Sequence, residues 1–341
     1  MESHDLHQAA RLGTLGAVPA ELLASEQLFV RNRSGTTPLH AIARHGGLER
    51  LPASVLTAEN LTLRNDSGYT PLHLAAESGQ LDKLPRELLT EPLLSLASNS
   101  GYTVYHVAAA HGHLHQIPEV LLSADVINRK THLGNTLLHE AAENGTLDRL
   151  PRSFLTSENF LQRNLGGETV LHVAAFNGHL NQIPATLLTP DALLQTTTAG
   201  DTVLHAAAIS GHLEQIPAAS LTHDHLVIAS KTGFTAIHAA AESGQLAKIP
   251  ANHLTADLLL TRNDNGDTPL HAAAYEGHLD QVPATLLTRE NLSVRNYDGV
   301  SVGRTAMTRG HVDQIPLPIR PKQRGPLGRF LDRIGASRPP F

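Results

Sequence analysis

The sequence runs to 341 residues, 41% of them hydrophobic, with 26 Lys and Arg against 32 Asp and Glu and no cysteine. The apolar fraction suffices for a buried core, which excludes a wholly disordered chain, and the missing cysteine excludes disulfide scaffolds, thiolate nucleophiles and cysteine-ligated metal centres. The net charge of −6 is uneven: residues 317–341 carry six bases and one acid, leaving −11 on residues 1–316, a body that disfavours broad nucleic-acid binding.

From the N-terminus, Met1 to Ala10 carries histidines and acids in place of a basic segment followed by an apolar run, so no secretory leader is read there. No stretch approaches the ~18 consecutive apolar residues of a spanning helix. These readings predict a cytoplasmic protein, or one delivered into a host cell without a cleaved signal.

His7 opens a series that continues at His40, His73, His106, His139, His172, His205, His238 and His271, each 33 residues from the last, with Arg304 one further step on. Ten such registers fill nearly the whole chain and leave no room for a separate catalytic domain. The first unit replaces the recurrent turn with Ser3-His-Asp-Leu-His7 and is read as a cap. From the second unit onward the pattern is Gly-x-Thr-x-Leu-His-x-Ala-Ala-x-x-Gly-x-Leu, as in Gly68-Tyr-Thr-Pro-Leu-His73. The threonine is an N-cap and Pro38, Pro71 and Pro269 take the first helical position. The glycine before each cap suits a turn with positive φ, and the glycine six residues after the histidine slot ends the helix as an αL cap.

Twelve residues after the histidine slot every unit has a proline, from Pro19 to Pro316. Ten prolines cannot sit inside ten helices. Each is read as starting a short helix, and a Thr or Ser such as Thr189 as capping a second one. In the last unit Val302, Gly303, Arg304 and Met307 replace core residues, marking the second cap. The segment 317–341 is a basic tail rich in Pro, Gly and Arg, expected to be flexible. Within it Gly328 to Ile334 would make a short amphipathic helix with Phe330, Leu331 and Ile334 on one face, suited to an anionic membrane, a partner or the acidic body.

The units so described resemble ankyrin repeats, over residues 1–316 and with a highly specific period and motif. The resemblance implies an all-α solenoid of ten repeats that binds another protein through a concave surface of turn tips and first-helix ends. The proline is a departure from the family, whose second helix is uninterrupted there.

Carried onto this sequence, that surface comprises five positions per unit: two before the first glycine, one after it, and two after Ala-Ala. Six aromatics fall on them: Tyr69, Tyr102, Phe176, Phe234, Tyr275 and Tyr297. So do the acids Glu77, Glu143, Asp201, Glu242, Asp267 and Glu276. Aromatic residues are enriched at interface hot spots, so these twelve are the candidate partner-binding set, and the partner is expected to be basic and partly apolar. Threonine beside histidine recurs without a third group to orient the base, so it is read as a fold determinant and the protein as non-enzymatic. The repeat histidines are read as hydrogen-bonding the turn to backbone or threonine, with no metal or cofactor; His111, His113 and His115 are dense but lack an acidic partner at useful spacing. No small-molecule substrate is expected, and an array capped at both ends has no need to associate, so a monomer is expected. A second reading makes the chain an effector or adaptor whose basic tail also attaches to a membrane or nucleic acid.

Overall fold

The computed structural model describes residues 6–320. Residues 1–220 and 221–341 form two compact units. The first holds seven first helices: α1 (Leu6–Arg11), α2 (Pro38–His45), α3 (Pro71–Ser78), α4 (Val104–Ala110), α5 (Leu137–Asn144), α6 (Val170–Phe176) and α7 (Val203–Ile209). The second holds α8 (Ala236–Glu242), α9 (Pro269–Glu276) and α10 (Val302–Arg309). Within each unit every first helix packs on the next. Among the described residues extended structure is limited to isolated bridges, such as Arg163 with Thr169. The stretch Ser3–Asp5 and the tail beyond Arg320, including Gly328–Ile334, lie outside the described residues.

The helices begin where the caps predict. Thr37 stands in extended backbone, its hydroxyl accepts from the His40 N–H, and Pro38 occupies the first turn. Leu171, Ala174, Ala175, Leu180 and Ile183 of one repeat are buried, and the same columns are buried in its neighbours. The paired alanines present bare helix surface, so adjacent helices approach closely.

In the inner repeats from Gly79 to Gly178 the glycine that ends the helix carries two demands. Gly145 sits at φ 69°, and a Cβ placed there would lie 2.7 Å from Nε2 of His179, which belongs to the next repeat. That imidazole is held in place because its Nδ1–H donates to the Ala142 carbonyl at 2.8 Å. Gly13 has the same backbone, φ 68°, but open space around the missing Cβ. Gly13→Ala is therefore expected to cost only the left-handed conformation, about 1 kcal/mol. Gly145→Ala should cost about 2–3 kcal/mol, because it also displaces the imidazole. Urea melts of both variants check this, and equal losses would show that the inter-repeat contact adds nothing.

The prolines break the second segment. In the unit around Pro184 a 3-10 turn spans Leu180–Gln182, a second spans Ala185–Leu187, and a single α-turn spans Pro190–Leu193. Thr189 caps the last of these by accepting from the Ala192 N–H at 3.3 Å. Two details differ from the sequence reading. The proline precedes the short helix in extended backbone, at φ −54° and ψ 128°, instead of occupying its first position. A further turn lies before it, because Ile183, preceding proline, is driven to the extended region and ends that turn. The glutamine ahead of the proline then reaches back one repeat. Gln182 Nε2 donates to the Gly145 carbonyl at 2.9 Å while its Oε1 accepts from the Leu147 N–H at 3.0 Å. Gln116 makes the same pair with Gly79 and Leu81. The pattern runs on past Pro316, where Leu317–Ile319 form the usual 3-10 turn.

Candidate partner-binding surface

The repeat histidine reaches forward into the next unit. The Thr70 N–H donates to His73 Nδ1 at 3.1 Å, and the Thr70 hydroxyl lies 2.8 Å from the same nitrogen. A backbone N–H can only donate, so Nδ1 is an acceptor and the ring proton sits on Nε2. That proton is donated to the Tyr102 carbonyl at 3.0 Å. His40 donates likewise to the Tyr69 carbonyl, His172 to Asp201 and His238 to Asp267. The constant residue of one repeat thus fixes the backbone beneath a variable tip residue of the following one. Burial pushes the His73, His106, His139 and His172 imidazoles down to about 4, the neutral state this geometry needs. His106 departs in register, donating to the Arg129 carbonyl. Among the described residues no group of three or more His, Asp or Glu side chains is placed to hold a metal ion, and His113 Nδ1–H donates to the Ala76 carbonyl.

In the first unit, four of the predicted residues converge. Tyr69, Tyr102, Glu77 and Glu143 line a groove of about 480 Å³ together with Arg44, Ala110, His111 and Glu140. The Tyr69 ring stands 5.1 Å from the His73 ring and the Tyr102 ring 6.2 Å from His106, so each tyrosine is propped on the imidazole of its own repeat. Burial raises the phenol of Tyr69, and Glu77 and Glu140 raise it further. Burial also raises Tyr102, to about 12, with Glu140 and Glu143 adding to the effect. Glu77 accepts from the Arg44 guanidinium at 2.5 Å at the rim, an exposed ion pair contributing little to stability.

In the second unit, Phe234, Tyr275, Glu242, Asp267 and Glu276 line a groove of about 420 Å³ with Arg309. The Phe234 ring lies 5.4 Å from His238, and the Arg309 guanidinium stacks over Tyr275, 3.3 Å from the ring centre. Asp267 accepts from Asn296 Nδ2 at 2.8 Å.

Three predicted residues join neither groove. Phe176 is 54% exposed on α6 and Tyr297 is 71% exposed, with Arg262 5.9 Å from its ring. Asp201 is half-buried, its N–H donating to the Thr197 hydroxyl. The sequence reading missed Glu140 and four exposed apolar side chains on the chosen columns of the first unit, Leu12, Leu133, Leu165 and Ile209. Ile209 occupies the same column as Phe176 on the adjoining helix, and Leu133 and Leu165 sit on tips joined by a Leu165 N–H to Leu133 carbonyl bond at 3.0 Å. Counting Leu and Ile on the chosen columns, and not only aromatics and charges, would have found all four.

Forward histidine clamps, backward glutamine clamps and stacked first helices define an all-α repeat solenoid. The family profile described as ankyrin repeats in three copies matches residues 6–89, 53–130, 105–188, 138–217, 171–251 and 215–296, and the chain belongs to the ankyrin-repeat family. Ankyrin repeats are generally protein–protein interaction modules and are typically non-enzymatic. No curated protein matches the chain. Among the described residues no helix is long and apolar enough to cross a membrane.

Proposed function

We propose that the chain is a non-enzymatic scaffold that binds a partner protein through the concave surface of its repeats. The observation that carries this reading is the convergence of residues the repeat does not need for its own packing. Tyr69, Tyr102, Glu77 and Glu143 share one groove, Phe234, Tyr275, Glu242, Asp267 and Glu276 share another, and Phe176 with Ile209 leaves an apolar pair exposed on adjoining helices. Rings backed by rigid imidazoles lose little conformational freedom on binding, so more of their contact energy appears as affinity. The carboxylates select a basic partner and speed its encounter.

The test is affinity capture from source-cell and eukaryotic lysates. Wild type is compared with a variant carrying Tyr69→Ala, Tyr102→Ala and Phe176→Ala whose circular dichroism matches wild type. Proteins held by wild type are expected to fall at least about tenfold in the variant, as loss of hot-spot rings predicts. Equal capture by both would remove the partner site from this face.

A further inference from the structure

Glu140 is out of pattern. The other inner repeats place Ala41, Leu74, Val107, Val173, Ala206, Ala239 and Ala272 in its column, just after the histidine, and the end repeats the uncharged Gln8 and Thr305. It is also the one Asp or Glu among the described residues that is buried, 3% exposed, yet it lines the groove of Tyr69 and Tyr102. Its surroundings supply hydrogen bonds and negative charge. Asn135 Nδ2 donates to Oε1 at 3.0 Å and is itself held by Asn164 Nδ2 at 3.1 Å. Tyr102 lines the same groove, and Glu143 adds like charge. The cation that lines the groove, Arg44, is engaged by Glu77. A buried carboxylate with no positive partner is an unfavourable arrangement that an incoming cation relieves.

We propose that this groove receives one cationic side chain, arginine or lysine, from the partner protein. The inference rests on the concave-face reading and deepens it by naming what enters. A cation there meets the carboxylates of Glu140 and Glu143 and the faces of two tyrosines, the combination that binds guanidinium and ammonium groups best. The second unit already places a cation on a groove tyrosine. There the chain's own Arg309 lines the groove of Tyr275, Glu242 and Glu276 and stacks on the tyrosine. The groove on the first unit has the same ingredients and no such arginine on its rings.

The test is an NMR titration of the full chain with four short probes at millimolar concentration. These are acetyl-Gly-Arg-Gly-amide, its citrulline analogue, acetyl-Gly-Lys-Gly-amide and its acetyl-lysine analogue. The Arg or Lys probe is expected to give saturable shifts at the Asn135 side-chain amide and the Tyr69 and Tyr102 rings, with the uncharged analogues silent. Glu140→Gln, which keeps the shape and the bond from Asn135, should weaken binding about tenfold or more, and Glu158→Gln, exposed and outside both grooves, should leave it unchanged. No saturable shift, an equal response to citrulline and acetyl-lysine, or full affinity in Glu140→Gln would overturn the assignment. The probes are independent of any captured partner. If they fail while capture still depends on Tyr69, Tyr102 and Phe176, only the cation pocket is lost; if capture fails as well, the concave-face reading goes with it.

Discussion

Lowering the pH from 6.5 to 4 is expected to remove most of the protein's stability. His73, His106, His139 and His172 have an ordinary value of 6.5 and are pushed down to about 4 by burial in the folded chain. Between those two values the unfolded chain binds protons that the folded chain refuses, so stability falls as pH falls and the loss is complete below about 4. Each such histidine costs on the order of 3 kcal/mol, and four of them approach the whole stability of an ordinary domain. Geometry gives the same sign as burial. Nδ1 accepts from a threonine N–H, at 3.1 Å in the case of His172, so a proton placed on that nitrogen would set two donors facing each other. Thermal melts across this range check the expectation, which fails if the midpoint at pH 4.5 equals that at neutrality.

Glu140→Gln is expected to stabilise the protein above pH 7. Burial is the main cause that raises this carboxyl from 4.5 to about 7; the nearby charge of Glu143 adds to it, and hydrogen bonds from Asn135 and Tyr102 oppose it. Here the folded chain holds the proton more tightly, so stability is unimpaired below 4.5, declines as pH rises, and is fully reduced above about 7. The amide imitates the protonated acid and should recover about 3 kcal/mol in alkaline buffer and almost nothing near pH 4.5. Paired urea melts of wild type and variant at the two ends measure the difference, and a gain independent of pH would show that ionisation is not its source. Between 4.5 and 6.5 the glutamate and the histidines act in opposite directions, and four imidazoles outweigh one carboxyl.

Much of this was legible in the sequence because a repeat states its rules ten times. Thr-Pro at Thr70 and Pro71 marks a helix start that the backbone adopts, and Pro184 and Thr189 mark the break and the new cap. The reach of the imidazole into the next repeat was not, since nothing in one unit says which carbonyl will lie above it. The same holds for Gly145, whose second requirement comes from His179, 34 residues on. The nine of the twelve candidate residues that line the two grooves came from residue type and column alone, Tyr69, Tyr102, Phe234 and Tyr275 among them. Which aromatics share a groove depended on their neighbours' size: Ala110, in the column of Glu77, Glu143 and Phe176, leaves the space that the first groove occupies. Glu140 lies outside the exposed columns; the signal in the sequence was an acid in a column that the other inner repeats fill with Ala, Leu or Val.

Forward clamps such as those of His73 and His172 join residues 29 apart, that of His106 residues 23 apart, and the backward clamps of Gln116, Gln182 and Gln314 residues 37 and 35 apart. Each repeat therefore consults only its immediate neighbours, and the cost of closing a contact does not grow with the number of repeats. What stands on a tip is gripped through its carbonyl whatever its side chain, since His172 holds Asp201 through the backbone as His73 holds Tyr102. Tyrosine, aspartate or glutamate can occupy that position with the same support from below. A change of partner can accordingly be made one tip at a time, each substitution tested on an unaltered frame.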